Sequence, residues 1–237
     1  MAEARMLCGA RAGAVALLLV APAFAQGGGA SHAEQLATPV AAQAVPATMQ
    51  QPTPGDRWTY DVKDDISGAL KWTRTDMITD VSKDDITVRF DIAGTGRSGN
   101  VTYDRSWDIV RSGPFKYTPN DGTGVRLPLT LGAQWKFAAD VVNAANGQTF
   151  RRKGTSKVVG RESVTTKAGT FDTFVIETDF TGRNVQDPSL VNQSSWRSWF
   201  DPDIDHWVKL SMVQRQRGHV MSRTIVELTK YSRGKQQ

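Results

Sequence analysis

The sequence predicts an all-β domain whose antiparallel strands form a curved sheet, as a half-barrel or open barrel of about nine or ten strands. Apolar and polar residues alternate in several short runs, as in strands with one buried face. Turn-forming residues separate these runs at short intervals. Beyond the first 25 residues, no run of ten or more shows the apolar spacing of a helix.

Each predicted strand is defined by side chains that share one face. In chain order these are Ile86, Val88, Phe90 and Ile92; Val101, Tyr103, Trp107 and Ile109; Trp135, Phe137, Ala139 and Val141; Val208, Leu210 and Met212; and Val220, Thr224, Val226 and Leu228. The turn signals between them are Lys83-Asp84-Asp85, residues 94–100, Asn146-Gly147 and Arg217-Gly218. Glycine, Asn and Asp favour turns because they tolerate or stabilise unusual backbone angles.

A weak internal repeat divides the predicted sheet. The pattern G-x-x-W-x-aromatic begins at Gly55 and again at Gly132, and each copy opens a run of strands. Two related half-sheets would produce this pattern, and so would chance combined with the preference of strands for aromatic residues.

Residues 1–25 are predicted to be an export signal. Arg5 and Arg11 precede a short apolar run over 12–21, and Ala23-Phe24-Ala25 matches a signal peptidase site, so cleavage is expected after Ala25. The apolar run is shorter than the roughly 20 residues of a membrane-spanning helix. We therefore expect a periplasmic protein without a transmembrane segment.

The rest of the chain is divided by composition. Residues 26–54 are rich in Ala, Gln, Gly and Pro and have one charged residue, so they predict a disordered tether or spacer. Residues 55–233 form the single all-β domain, and residues 234–237 are expected to be a disordered tail. The only cysteine, Cys8, lies in the signal, which excludes disulfides and cysteine metal sites from the mature chain. Basic residues are scattered, so a net charge of +5 favours mild attraction to anionic lipid or polymer rather than nucleic-acid binding.

Arg105 and Trp107 are candidate ligand-binding residues. By alternation Arg105 would interrupt the apolar face between Tyr103 and Trp107, and a buried guanidinium needs a partner or a polar pocket. The alternative is a strand that twists here, or an arginine that extends to the rim of the sheet.

Trp199 and Trp207 are the second pair of candidates. They lie on either side of an Asp-rich turn, and the apolar face that contains Val208 leaves Trp207 on the opposite side. The two rings would then pair across a hairpin on the outer face and stack on sugars or contact lipid headgroups. The alternative is a sheet that is covered on both sides.

The Asp-rich turn itself contains Asp201, Asp203 and Asp205. Its D-x-D-x-D spacing resembles the start of a calcium-binding loop, but His206 and Met212 occupy the positions that require Gly and Glu. A polar turn is favoured over a weak cation site, and no metal or cofactor is predicted.

Catalytic motifs are lacking in the sequence. No nucleophile elbow or zinc-protease motif occurs, and Glu162 and Glu177 are the only strand glutamates before Glu227. The sequence therefore favours a protein that is not an enzyme, and a hydrolase is the least favoured of three alternatives.

The segment 158–177, VVGRESVTTKAGTFDTFVIE, predicts a hairpin with its turn at Ala168-Gly169. With SWFDPD at 198–203 and WVK at 207–209, it resembles periplasmic proteins of domain-of-unknown-function family 3108. That resemblance implies a curved antiparallel sheet similar to the half-barrel of lipoprotein carriers, and it implies no catalytic residues.

Together these features favour a non-catalytic envelope protein that binds a lipid or another apolar or amphipathic ligand in the concavity of its sheet. The alternative is a structural or interaction module that binds an envelope protein or cell-wall polymer through an exposed aromatic face.

Overall fold

The computed structural model describes residues 51–234. The predicted signal, most of the predicted tether and residues 235–237 lie outside this range. The described residues form twelve antiparallel strands in one closed barrel. The strands are β1 (Arg57–Asp64), β2 (Leu70–Val81), β3 (Asp85–Ile92), β4 (Arg97–Asp104), β5 (Ile109–Ser112), β6 (Phe115–Thr118), β7 (Gln134–Asn143), β8 (Thr149–Thr166), β9 (Gly169–Asn184), β10 (Val191–Asp201), β11 (His206–Gln216) and β12 (His219–Ser232). Within residues 51–234, no helix is long and apolar enough to cross a membrane.

The structure differs from the predicted half-barrel or open barrel of about nine or ten strands, because it is a closed barrel of twelve. Each strand pairs with the next along the chain, and β1 closes the barrel by pairing with β12, from Arg57↔Ser232 to Asp64↔Thr224. The all-β antiparallel prediction is confirmed, but the closure and the strand count are wrong. Strands β5 and β6 have only four residues each, which is too short to show alternation. The closing pair joins opposite ends of the domain, a contact that local periodicity does not encode.

The internal repeat has a structural counterpart, because Gly55 and Gly132 occupy equivalent places before β1 and β7. Both have positive φ, 91° and 83°. The amide of Gly55 donates to Ile78 O at 2.8 Å, and that of Gly132 donates to Val158 O at 2.9 Å. Each glycine thus begins a run of six strands in the same local geometry.

The two ends of the barrel differ, and we name them by the connections they carry. The open end has the connections 65–69, 93–96, 113–114, 144–148, 185–190 and 217–218. The closed end has the connections 82–84, 105–108, 119–133, 167–168 and 202–205, together with the first residues of β1 and the last of β12.

The closed end is filled by a hydrophobic core. Its buried members are Trp58, Tyr60, Ile78, Ile86, Val88, Trp107, Val125, Leu129, Val158, Phe174, Ile176, Phe200, Ile204, Val208 and Leu228. Val125 and Leu129 belong to the 119–133 connection, so this long loop folds into the end of the barrel as a plug. Backbone bonds fix the plug, since Val125 N donates to Ser106 O at 2.7 Å and Gly124 N donates to Asp108 Oδ1 at 2.5 Å.

The chain ends of the described region are fixed to the closed end through Asp56, which is buried. Its carboxylate accepts from Thr53 N at 3.0 Å and from Gly234 N at 2.7 Å, and it pairs with Arg233 at 2.9 Å. Thr53, from the predicted tether, and Gly234, from the predicted tail, are therefore part of the barrel's hydrogen-bonding scheme.

Candidate functional site

Arg105 does not interrupt an inner strand face, contrary to the prediction. Strand β4 ends at Asp104, so Arg105 lies in a turn at the rim of the closed end. Its guanidinium donates to Gln51 Oε1 at 2.6 Å and to Ser82 O at 3.5 Å. The alternation failed here because the strand ends at Asp104, whereas the apolar pattern continues it through Trp107 to Ile109.

Trp107 is buried in the closed-end core. Its Nε1 donates to Asp205 Oδ1 at 3.1 Å, and its ring stacks on His206 with centroids 4.7 Å apart. Trp58 packs edge-on against both rings, 6.0 Å from Trp107 and 4.2 Å from His206. Trp107 therefore has its ring faces covered by protein and is not available to line a ligand cavity.

Burial changes the acid–base properties of this cluster. It raises the pKa of Asp205 to about 7, although the hydrogen bond from Trp107 acts in the opposite direction. It lowers the pKa of His206 to about 3, because a charged imidazole loses its hydration there. Trp107 and Asp205 also have positive φ, 62° and 50°, which is uncommon for residues other than glycine. The cluster is therefore buried, it contains two residues with strained backbone angles, and Asp205 is neutral below about pH 7.

Trp199 and Trp207 lie on opposite faces of the barrel wall, so they do not pair across the hairpin. Trp199 is opposite Lys209 and Phe200 is opposite Trp207, which leaves Val208 as the extra residue of a β-bulge. The bulge turns Trp207 toward the core, where its ring lies 5.8 Å from Phe200. Alternation predicted the opposite face because it assumes a regular strand.

Trp199 lies on the outer face, but only 9% of its surface is exposed. Its Nε1 donates to Glu162 Oε2 at 2.7 Å, and Arg197 and Lys209 approach the ring at 5.5 and 5.3 Å from its centroid. The hydrogen bond from Trp199 lowers the pKa of Glu162, with Arg197 contributing to the same shift. The interaction-module hypothesis therefore lacks the exposed tryptophan pair on which it depended.

The strand glutamates share one arginine on the outer face. Arg197 binds Glu162 at 2.8 Å and Glu177 at 3.2 Å, and all three side chains are about half exposed. The two carboxylates are thus held by one cation on the convex wall of the barrel.

The three aspartates of the 202–205 connection and its flank do not share a ligand position. Asp201 Oδ1 accepts from Asp203 N at 2.7 Å, which is an Asx turn, and Asp205 accepts from Trp107. Within residues 51–234, no group of three or more His, Cys, Asp or Glu side chains is arranged to bind a metal ion.

A cavity of about 450 Å³ occupies the barrel near the open end. Ligand pockets typically have volumes of about 300–1,000 Å³. It is lined by Phe115, Tyr117, Val141, Phe150, Arg152, Phe180, Gly182, Asn192, Ser194, Trp196, Gln214, Arg215, Gln216 and Met221. Phe115, Gln216 and Met221 lie beside open-end turns, so the cavity opens at this end of the barrel.

Arg152 is one of two cations that line this cavity, the other being Arg215. The guanidinium of Arg152 lies over the ring of Phe180 at 4.1 Å and near that of Tyr117 at 5.5 Å, and its Nη1 binds Asp121 Oδ2 at 3.1 Å. Asp121 is buried in the plug and also accepts from Thr123 Oγ1 at 2.6 Å. The aromatic contacts and the single ion pair orient the guanidinium while leaving further N–H groups for an anionic or polar ligand.

Gly182 supplies the free space in this wall. It pairs with Arg152 on β8 and Asn192 on β10, and a Cβ added there meets no heavy atom within 4 Å. The cavity therefore combines aromatic surface, one oriented cation and several amide and hydroxyl groups.

Strand β8 contains a sequence signal for this site, which none of the predicted ligand-binding residues marks. Phe150, Arg152, Gly154, Ser156 and Val158 alternate along β8, and Arg152 interrupts that face in the way that was sought at Arg105. A charge on an inner apolar face does mark a cavity in this protein, but it is Arg152 of β8, whereas Arg105 lies in a turn.

The fold is similar to those of two solved structures. One is a candidate lipoprotein from Parabacteroides distasonis, with a TM-score of 0.53, 14% identity and coverage of 78% of this chain and 99% of that one. The other is a candidate exported protein from Bacteroides fragilis with a YmcC-like fold, with a TM-score of 0.52, 12% identity and coverage of 79% and 100%. The barrel has a YmcC-like fold. At these identities the likeness shows the fold alone.

Sequence comparisons add nothing to this fold assignment. No protein-family model matches the chain, and no curated protein matches it. Membership in domain-of-unknown-function family 3108 is therefore not confirmed, whereas the antiparallel sheet that the resemblance implied is present.

Proposed function

We propose that this protein is a non-catalytic periplasmic component of the bacterial envelope that binds an amphipathic ligand with an anionic group inside its barrel. The observation that carries the proposal is the cavity of about 450 Å³ beside Arg152 in a barrel whose other half is packed. The aromatic lining suits an apolar or sugar moiety, and the guanidinium suits a phosphate or carboxylate. The two similar structures, described as a candidate lipoprotein and a candidate exported protein, support an envelope location.

The preferred ligand has one apolar chain. The cavity volume lies at the small end of the range for ligand pockets, which favours a single-chain amphiphile over a two-chain lipid. Arg152 is mostly buried, so an anion that reaches it loses much of its screening by water and gains a stronger interaction.

The test is calorimetric titration of the mature chain with lauroyl lysophosphatidylglycerol and, in parallel, with lauroyl lysophosphatidylcholine. We expect saturable binding that is tighter for the anionic lipid. Gly182→Phe should abolish it, because an added Cβ has open space at this cavity-lining position and the ring would occupy part of the cavity. Gly160→Phe is the matched control, since Gly160 also has open space and does not line the cavity.

Two results would overturn the proposal. One is absence of saturable binding of either lipid by the wild-type chain. The other is equal affinity in the wild-type and Gly182→Phe proteins, which would place binding elsewhere. Mass spectrometry of protein purified from its own envelope would then identify the ligand class.

A further inference from the structure

The large apolar side chains that the barrel exposes are concentrated at the open end. Of the nine in residues 51–234 that are strongly exposed, seven lie in open-end turns or within three residues of them. They are Ile66 at 79%, Leu70 at 58%, Trp72 at 41%, Phe115 at 37%, Val185 at 45%, Val220 at 45% and Met221 at 63%. We call these seven residues the apolar rim. The other two, Leu127 and Leu131, lie in the plug at the closed end.

Two hairpins of the apolar rim contact each other. Asp65 N in the β1–β2 connection donates to Arg223 O of β12 at 3.4 Å, and Lys71 Nζ donates to the same oxygen at 3.3 Å. Ile66 and Leu70 on the first hairpin are thereby placed next to Val220 and Met221 on the second. Exposed apolar groups that cluster in this way mark an interaction surface, whereas scattered ones do not.

The two ends of the barrel also differ in net charge. Counted over the connections and two residues on either side, the open end has eight cations, Lys63, Lys71, Arg97, Arg111, Lys116, Arg183, Arg215 and Arg217, against four acids, Asp64, Asp65, Asp91 and Asp187. By the same count, with the ends of β1 and β12 included, the closed end has six cations, Arg57, Lys83, Arg105, Arg126, Lys167 and Arg233, against ten acids, Asp56, Asp80, Asp84, Asp85, Asp104, Asp108, Asp121, Asp201, Asp203 and Asp205. The apolar rim is therefore surrounded by positive charge.

We infer that the open end docks on an anionic lipid surface. Apolar side chains beside Lys and Arg are the arrangement by which proteins bind in the interface of a charged bilayer, since the apolar groups enter the headgroup layer and the cations bind phosphates. The acidic closed end would be repelled by the same surface, so docking orients the barrel with its cavity mouth toward the lipid. This inference does not depend on the cavity ligand, because it requires only the rim.

The test is co-sedimentation of the mature chain with vesicles of phosphatidylcholine alone and of phosphatidylcholine containing about one third phosphatidylglycerol. We expect binding to the anionic vesicles that weakens with added salt. Replacing both Ile66→Ser and Leu70→Ser, neither of which lines the cavity, should reduce it by about tenfold or more, because each side chain loses apolar burial in the interface. Leu127→Ser with Leu131→Ser is the matched control, with similar exposure at the opposite end, and should leave binding unchanged.

Three results would overturn the inference. The first is equal binding to neutral and anionic vesicles or to neither. The second is an equal loss in the rim and control variants. The third is self-association of the wild-type chain in sedimentation equilibrium that Ile66→Ser with Leu70→Ser abolishes, which would make the rim a contact between two copies. The cavity titration with lysophosphatidylglycerol is read separately, so failure of one proposal leaves the other intact.

Discussion

The closed and open halves of the barrel are built from the same strands but differ in what those strands present inside. On β9 the inner residues of the closed half are Phe174 and Ile176, whereas the open half has Thr178 and Gly182. The first pair fills space with apolar atoms. The second leaves space and polar groups. Buried and closely packed apolar side chains stabilise a fold, so we expect the closed half to contribute more of the stability, while the open half contains the cavity.

Buried carboxylates in the barrel also differ in whether they have a cationic partner. Buried carboxylates are paired where a cation reaches them, as Asp121 is with Arg152 and Asp56 is with Arg233, whereas Asp205 of the closed end has burial without a cationic partner at contact distance. The paired carboxylates are held as ions, and Asp205 is held in its neutral form up to about pH 7. Four substitutions test this comparison, beginning with the largest expected effect.

Phe200→Ala should lower the free energy of unfolding by about 3–5 kcal/mol, because it leaves a cavity in the packed half. Trp196→Ala in the open half should cost about 2 kcal/mol or less, since the larger ring borders an existing cavity and its buried Nε1 has no hydrogen-bond partner among the described residues. Urea unfolding measures both. Equal losses would contradict the division into halves.

Arg152→Met should cost about 3 kcal/mol, because it leaves the buried carboxylate of Asp121 without its cation. The control is Arg197→Met, which removes an exposed arginine that binds two glutamates and should cost less than about 1 kcal/mol. Thermal unfolding of the two variants ranks them. If Arg197→Met lowers the stability more than Arg152→Met does, the ion pair between Arg152 and Asp121 does not stabilise the fold.

Gly124→Ala should cost about 2 kcal/mol, because the added Cβ would lie 2.1 Å from Ser106 O in the plug and the loop would have to shift. The same change at Gly182 in the open half meets empty space and should be close to neutral. Denaturant midpoints of the two alanine variants distinguish these outcomes. A stable Gly124→Ala protein would show that the plug is not closely packed.

Asp205→Asn should make the protein more stable relative to wild type as pH rises, by on the order of 1–2 kcal/mol between about pH 4 and pH 8. The folded pKa of Asp205 is about 7, above its ordinary value, so the stability given by the neutral carboxyl is present at low pH and lost as pH approaches 7. Asparagine keeps an oxygen for Trp107 and has no proton to lose. His206 is unchanged in both proteins.

The measurement is the unfolding free energy of both proteins across this pH range. If the difference in unfolding free energy between the two proteins does not change with pH, burial does not disfavour the ionised carboxylate of Asp205.

The local sequence pattern predicted where regular strands and several turns lie, but it did not predict where a strand ends early or contains a bulge. The alternation of Ile86, Val88 and Phe90 is present in β3, and the turns at Asn146-Gly147 and Arg217-Gly218 connect strands as expected. Alternation fails where the chain departs from a regular strand. It misplaced Arg105 at a strand end and Trp207 at a bulge, and neither departure has a recognisable signal in the residues nearby.

The sequence by itself determined the all-β class, the positions of most turns and the equivalent glycines that begin the two six-stranded runs, because these depend on residues close together in the chain. Only the tertiary structure decided the closure of β1 on β12, the plug, the cavity beside Arg152 and the apolar rim. Each of these joins residues that lie far apart in sequence. Which distant strands meet, and which inner positions remain unfilled, follows from how the whole set of side chains packs.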